Sequence, residues 1–432
     1  MVSRWGPTVS HVIDENSVTH PDTPALKDGL GNSLTYSQAS KRVNQIANVL
    51  LESGIDHRRV AGYQEPTADW ICSLLAVWKI GAAYVPLDSR QPTARIAVML
   101  AGCKPSAVLC HQETIENLTG INGDAIVINI SDLPSTSTTV ESLATKANPE
   151  KPALLIFTSG STGTPKAVEV RHSSLKNIIE GVTATYGFDQ ARQTVLQHSA
   201  HSFDICFGQV LLGLCNRGSV FVAPKDKRAD PLELCKIVRD EKITIVMSTP
   251  GEYSQWLRFG RSELQAADSW KFGFSGGEAM HGSLKAAFNE LGMGVTLINA
   301  YGPAETIILS TTKVVDYKNE TSDYSEAISI GKPIPNSGVF IVDKNMKPVP
   351  SGVTGEIVIT GAGVANGYYG QSELTKATFI RDTLTPSGYS ANYGGGVMAK
   401  MYRTGDSGRY DENGDLHFEG RIAGDSQVKL NG

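Results

Sequence analysis

The sequence predicts an α/β protein of layered subdomains with mostly parallel strands, followed by a smaller β-rich unit. Three observations carry this reading. Short apolar, strand-like runs alternate with helix-length segments through residues 1–310. After about Thr311 the text changes to short strands and turns. The length of 432 residues also exceeds what one hydrophobic core usually organises, so two or three packed subdomains are expected.

Taken in order, residues 36–51 place Val43, Ile46, Ala47 and Leu50 at helical spacing, with Lys41, Arg42, Asn44 and Asn48 on the opposite face. Strand-like runs follow at Ala107-Val108-Leu109-Cys110, Ala125-Ile126-Val127-Ile128, Ser219-Val220-Phe221-Val222, Ile243-Thr244-Ile245-Val246 and Val295-Thr296-Leu297-Ile298. Helices are expected between several of them, over 231–241 and 282–291. Ala153-Leu154-Leu155-Ile156-Phe157, preceded by Pro152, reads as a buried strand delivering the loop that follows it to one edge of a sheet. In the later part, Gly338-Val339-Phe340-Ile341-Val342 and Gly355-Glu356-Ile357-Val358-Ile359 read as strands. Residues 132–139 and the glycine-rich 387–396 read as surface loops, and no internal repeat is present.

Composition narrows the function classes. A hydrophobic content of 41% and a charged content of 19% are those of an ordinary globular protein. A net charge of -5 without a long basic run gives no footprint for nucleic acid or an anionic membrane, so small-molecule chemistry is expected. The cysteines at 72, 103, 110, 206, 215 and 235 form no Cys-x-x-Cys pair and no zinc-finger spacing, which suggests a reducing, cytoplasmic setting. The N-terminus has no signal-peptide core, and no apolar stretch is long enough to span a bilayer. Without export, the glycosylation-like triplets at Asn117, Asn129 and Asn319 carry no weight.

The chemistry concentrates in Thr158-Ser159-Gly160-Ser161-Thr162-Gly163-Thr164-Pro165-Lys166, which holds five hydroxyls, two glycines and a lysine. Glycines let backbone N–H groups approach phosphate oxygens, hydroxyls donate to them, and Lys166 adds charge. The spacing of Gly160 and Gly163 differs from that of a Walker A loop, so a P-loop kinase or GTPase is disfavoured.

Read with Ala83-Tyr84-Val85-Pro86-Leu87-Asp88, Phe203-Asp204, Asn299-Ala300-Tyr301-Gly302-Pro303-Ala304-Glu305, Gly355-Glu356-Ile357, Tyr402-Arg403-Thr404-Gly405-Asp406 and Gly420-Arg421, the loop falls into an ordered series. From about Leu34 to the last residue, that series resembles the amino-acid adenylation domains of nonribosomal peptide synthetases, in the adenylate-forming superfamily. Ala25-Leu26-Lys27-Asp28-Gly29, Gln64-Glu65-Pro66-Thr67-Ala68-Asp69-Trp70 and Gly420-Arg421-Ile422-Ala423-Gly424-Asp425 look similar to fungal hybrid polyketide synthase–nonribosomal peptide synthetases. The resemblance implies a large N-terminal core of two α/β layered subdomains (1–310) and a smaller β-rich, barrel-like subdomain (311–420), then a truncated hinge segment (421–432).

It also implies ATP and Mg²⁺ as cofactors, and attack of a carboxylate on the α-phosphorus of ATP to give an acyl adenylate and pyrophosphate. Thr158, Ser159, Gly160, Ser161, Thr162, Gly163 and Lys166 match the phosphate-holding loop, and Glu305 the magnesium-binding carboxylate. Thr158, Lys166 and Glu305 are therefore the catalytic candidates. Asp406 matches the ribose-binding aspartate, whose two oxygens suit a diol. Arg421 matches a further ribose or phosphate contact, and Gly277, Asn299, Ala300 and Tyr301 frame the adenine.

Asp204 matches the aspartate that pairs with a substrate ammonium, which implies an α-amino acid. The same register lines the side-chain pocket with Ile205, Gly208, Gly251, Phe274, Gly276, Ala300, Ile308 and Leu309. Glycines leave volume and the others are apolar, so phenylalanine, tryptophan, tyrosine or leucine is expected, with no buried charge to satisfy. The implied partners are that amino acid, a carrier-protein domain with its phosphopantetheine arm, and a neighbouring condensation domain, with no nucleic acid and no membrane.

Departures from the family pattern are Ala304 in place of a threonine, Ala167 in place of a glycine, and a segment after Arg421 about two residues longer than usual. Asp425 is the expected hinge, and the small C-terminal subdomain with its catalytic lysine is expected to be absent. His198 and His201 lack condensation-domain spacing and read as packing or pocket-rim residues. Two alternatives stay open, an aryl- or acyl-CoA ligase and a catalytically weak nucleotide-binding module. Asp204 argues against the first.

Overall fold

The computed structural model describes residues 5–134, 141–159, 165–318, 324–386 and 400–422. Two sheets and the helices around them make up most of the molecule. The larger sheet has nine strands, in the spatial order Lys332–Pro333, Thr311–Val314, Thr296–Tyr301, Phe272–Ser275, Ile245–Ser248, Thr194–Gln197, Ser219–Val222, Pro24–Asp28 and Ser33–Thr35. Its middle six strands pair in parallel, and antiparallel strands close both ends. The second sheet has seven strands, in the order Gly367–Tyr368, Lys166–Arg171, Pro152–Thr158, Ala83–Asp88, Arg59–Gln64, Ala107–Cys110 and Ile126–Asn129.

Alternation along the strands decides which side of each sheet is which. In the larger sheet Val195, Val220, Ile245, Met247 and Ile298 face one apolar cluster, while Leu196, Phe221, Val246 and Leu297 face another. In the smaller sheet Val60, Tyr84, Leu109, Leu154 and Ile156 turn to the first of these clusters, while Ala61, Val85, Val108 and Leu155 turn to a third. The shared cluster also takes the buried faces of the helices Tyr36–Glu52, Ala68–Lys79, His172–Tyr186 and Ile205–Cys215. These helices are therefore sandwiched between the sheets, whereas Pro231–Asp240, Pro250–Phe259 and Gly282–Leu291 cover the far side of the nine-stranded one.

Local sequence explains several boundaries. Thr35 and Gln38 form a capping box that starts Tyr36–Glu52, and Thr249 with Glu252 forms another behind Pro250. The expected helices at 36–51, 231–241 and 282–291 are present as Tyr36–Glu52, Pro231–Asp240 and Gly282–Leu291. The run at Ile243 begins as a strand only at Ile245, because the Ile243 N–H closes the preceding helix on the Val238 carbonyl.

The β-rich unit is a five-stranded sheet built on Ser337–Val342, Gly355–Gly361, Lys400–Tyr410, Phe379–Arg381 and Leu416–Arg421. The expected boundary at 311 differs from this arrangement. Thr311–Val314 and Lys332–Pro333 complete the nine-stranded sheet, and Gly367–Tyr368 returns to the seven-stranded one. Composition marked the change to short strands, but strand pairing, not composition, assigns a strand to its sheet. The loop after Pro152–Thr158 joins that strand to Lys166–Arg171 as an antiparallel hairpin, a pairing that Thr158 opposite Lys166 completes.

Candidate active site

The C-terminal ends of parallel strands from both sheets carry the candidate residues, which is where open α/β sheets place their ligands. On the seven-stranded sheet, Thr158 ends one strand and Lys166 begins its partner, with Ser159 exposed beside them. Gly160, Ser161, Thr162 and Gly163 lie outside the described residues, as does Asp425. The Lys166 ammonium lies 5.3 Å from the centre of the Tyr368 ring. The Tyr368 hydroxyl in turn donates to Glu305 Oε1 at 2.8 Å. Glu305 is buried in the short 3-10 turn Ala304–Thr306, and its carbonyl accepts from Ala365 N–H at 2.9 Å.

Tyr402 is buried near the same cluster, close enough to feel the Glu305 charge. Burial, and then the Glu305 charge, push both phenols far up, so both remain neutral, and Tyr368 stays a donor to the carboxylate. Neither tyrosine had a role in the sequence reading, although Tyr402 belongs to one of the ordered motifs. Among the described residues no group of three or more potential metal-ligating side chains exists. A single buried carboxylate, linked through Tyr368 to the Lys166 ammonium, nevertheless fits Mg²⁺, which is commonly held by one or two carboxylates plus substrate phosphates and water.

A second cluster sits on the β-rich sheet. Asp406 is buried and accepts from Tyr301 Oη at 2.5 Å and from Arg421 Nη1 at 2.7 Å. Gly405, at φ +69°, sits in a bulge of the strand Lys400–Tyr410 just before it, a conformation that favours glycine. The bulge is braced by Glu356, which accepts from Arg403 Nη2 at 2.6 Å and from Gly405 N–H at 3.3 Å. Gly355-Glu356-Ile357 and Tyr402-Arg403-Thr404-Gly405-Asp406 therefore interlock across neighbouring strands, with Thr404 Oγ1 donating to the Ile357 carbonyl at 2.7 Å.

Asn299, Ala300 and Tyr301 end the strand Thr296–Tyr301, beside Ser275 and Gly276 of the next. The Asn299 amide is spent on structure, donating to the carbonyls of Ile328 and Ser329 at 3.1 and 3.0 Å. A Cβ on Gly276 would lie 2.8 Å from the Ala300 carbonyl oxygen, so only glycine permits this approach. Gly277 is exposed, at φ +83°.

In the expected pocket, Ile205, Phe274, Ala300, Ile308 and Leu309 belong to one apolar cluster. Phe274 packs edge-on against Tyr186, with centroids 5.4 Å apart. Two details bear on the expected volume. The space beside Gly208 is occupied, since a Cβ there would meet Ile308 Cγ2 at 3.2 Å and Met247 Cε at 3.4 Å. Gly251 faces a charge, because its Cβ would lie 3.3 Å from Glu278 Oε2. Volume counted from glycines overlooks the side chains that lean into it, and Met247 was not among the candidates.

Asp204 precedes the helix Ile205–Cys215, and its Oδ2 accepts from the Ile308 N–H at 2.6 Å. Ile307 and Ile308 have φ of +49° and +62°. Left-handed backbone at a β-branched residue is an outlier, costing about 1–3 kcal/mol each, and persists only where the surroundings over-determine it. His201 stacks on Trp70 with centroids 3.9 Å apart, and His198 lies between Gln209 and Ser248, so both are packed into the interior near Asp204.

Known proteins resemble this chain in sequence and in fold. A family model described as AMP-binding enzyme matches residues 13–369. The hybrid PKS-NRPS synthetase buaA of Petromyces alliaceus is 43% identical over 100% of this chain, and mpsA of Macrophomina phaseolina 42% over 99%. The chain spans 11% and 10% of the length of those two relatives. Among solved structures, the AMPPNP-bound form of the nonribosomal peptide synthetase FmoA3 matches with a TM-score of 0.85 and 25% identity, over 98% of this chain and 43% of that one. The Klebsiella oxytoca NpsA N-terminal subdomain, in complex with 3-hydroxybenzoyl-AMSN, matches with a TM-score of 0.80 and 23% identity, over 96% of this chain and 100% of that one. No helix of the described residues is long and apolar enough to cross a membrane.

Proposed function

The chain belongs to the AMP-binding enzyme family, and on that premise we propose that it joins an α-amino acid to ATP, giving an aminoacyl-AMP and pyrophosphate. The substrate class is a large apolar or aromatic amino acid, and the product is loaded onto the phosphopantetheine arm of a carrier-protein domain within a fungal hybrid synthetase. One observation carries the reading. Residues 301–308 touch three separate clusters: Tyr301 holds Asp406, Glu305 holds Tyr368 beside Lys166, and Ile308 holds Asp204. A nucleotide ribose, its phosphates and an ammonium-bearing acid recognised at those clusters meet along one short segment, as adenylation requires.

In this reading Asp406 accepts from the ribose hydroxyls, with Arg421 beside it. Lys166, Thr158, Ser159 and the residues between them hold the β- and γ-phosphates. Glu305 holds Mg²⁺, which neutralises charge developing on the phosphates. The neutral Tyr368 keeps Glu305 aimed without competing for its negative charge. Asp204 pairs with the substrate ammonium, which disfavours an aryl- or acyl-CoA ligase, whose substrates carry none. Gly277, Ala300 and Tyr301 border the adenine.

Pyrophosphate exchange across the standard amino acids tests the proposal. Phenylalanine, tryptophan, tyrosine or leucine should lead, and a preference for aspartate, lysine or glycine overturns the pocket assignment. Calorimetry with ATP, Mg²⁺ and the preferred amino acid should detect both ligands. Absence of nucleotide binding would instead favour a catalytically silent module.

A further inference from the structure

We propose that Asp204 also acts as a latch: its carboxylate holds the turn at Ile307 and Ile308, and this latch sets the wall against which the substrate side chain is measured. The inference rests on the amino-acid reading above and adds a positioning role to a residue already assigned to the ammonium.

The turn has reason to leave its present shape. Two consecutive β-branched residues sit in left-handed backbone, at φ +49° and +62°. Several contacts over-determine it. The Leu309 N–H donates to the Ile307 carbonyl at 2.7 Å, and Thr306 Oγ1 lies 2.7 Å from Ser310 Oγ. Gly302 lies directly beneath, where a Cβ would come within 2.5 Å of Leu309 Cα. A charged group joins them through the 2.6 Å hydrogen bond from the Ile308 N–H to Asp204 Oδ2. A charge-assisted bond of that length is the strongest of these restraints.

What the latch holds is a pocket wall. With the turn in this conformation, Ile308 Cγ2 and Cδ1 lie 3.2 and 3.5 Å from where a Cβ on Gly208 would be, and Met247 Cε lies 3.4 Å from the same point. Release of the amide lets the backbone relax toward ordinary negative φ, which carries the Ile308 side chain away from Gly208. A carboxylate has about four lone-pair sites, so it can accept the amide and a substrate ammonium together. The same residue then ties recognition of the amino group to the length and width allowed to the side chain.

Substrates without an amino group separate the two roles. Affinities for 3-phenylpropanoate and butanoate are measured by calorimetry on the 432-residue chain, Asp204→Asn and Asp204→Ala, with hydrogen exchange read at the Ile308 amide. Asparagine keeps an oxygen that can accept from Ile308; alanine does not. The size preference and the amide protection should survive in Asp204→Asn, whereas Asp204→Ala should lose about tenfold in both, the scale on which apolar pockets discriminate. Acids that bind with unchanged preference and protection in Asp204→Ala overturn the latch alone. A wild-type chain that binds neither these acids nor any amino acid, with its Ile308 amide protected, sinks the amino-acid reading, and the selectivity role falls with it.

Discussion

The proposed nucleotide side and the proposed acid pocket of this site are built on opposite terms. On the nucleotide side charged groups are fixed by named partners: Asp406 by Tyr301 and Arg421, and Glu305 by Tyr368. In the acid pocket the shape comes from side chains leaning into space that glycines vacate, with Ile308 and Met247 against Gly208. Residue identity carries the chemistry of a polar cluster, so such a cluster can be inferred one position at a time. An apolar pocket is a remainder, and it depends on every neighbour at once.

If the two sides are separable, the largest effect belongs to the carboxylate proposed for Mg²⁺. Glu305→Gln keeps an acceptor for Tyr368 but loses the charge, so pyrophosphate exchange should fall by about 10²–10³, the scale of losing one preorganised electrostatic group. Amino-acid preference should not move. A fall of less than tenfold would place the metal elsewhere. Next comes Asp406→Asn, where a charge-assisted contact to the ribose and the ion pair with Arg421 are lost together. ATP affinity should drop by about 10–100-fold, the equivalent of about 1.5–3 kcal/mol. An unchanged affinity, read by calorimetry, removes Asp406 from the nucleotide site.

Particular residues show why the sequence was more informative on one side. Lys166 and Glu305 lie far apart in the chain, yet each is marked by its own motif, and the fold brings them to the two sides of Tyr368. Tyr368 itself sits in a two-residue strand with no periodicity, and its place depends on pairing opposite Val168. Glu356 was visible only as part of a motif, because its brace on Gly405 depends on the register of two strands. Met247 reads as one more apolar residue in a core strand, and nothing local says that its terminal methyl enters the pocket. Helices with clear amphipathic spacing or flanking turns, such as Tyr36–Glu52 and Gly282–Leu291, were legible, whereas the allocation of strands after Thr311 to three sheets was not.

Two buried histidines should behave alike. His172 follows the strand Lys166–Arg171 at the end away from Thr158, and burial, reinforced by His11, pushes its pKa down to about 3. His201 lies near Asp204 and is held far below its ordinary value by burial and then by Arg228. The unfolded chain takes up protons below about pH 6.5 that the fold refuses, so stability is present at neutral pH and lost as pH falls. For His172 the loss between pH 7 and pH 5 is about 2 kcal/mol, with the window running from pH 6.5 down to about 3. Melting temperature should therefore decline steadily on acidification, and His172→Gln should flatten part of that slope. A melting temperature that rises toward pH 5 contradicts the buried neutral state.

The smallest effect is the most discriminating. Tyr368→Phe keeps the ring beneath the Lys166 ammonium and removes only the hydroxyl that donates to Glu305. The neutral Tyr402 phenol remains buried near the carboxylate, so the loss should fall just below the range for a hydrogen bond to a charged group. About 1 kcal/mol corresponds to a roughly fivefold fall in kcat/KM for ATP. The KM for the amino acid should stay put, because among the described residues the Tyr368 hydroxyl bonds to Glu305 and not to the Asp204 side. A shift in amino-acid preference in this variant means that strain passes along residues 301–308 from Glu305 to Ile308. In that event the two regions are one mechanical unit, and the separation between a polar site and an apolar remainder fails where they share backbone.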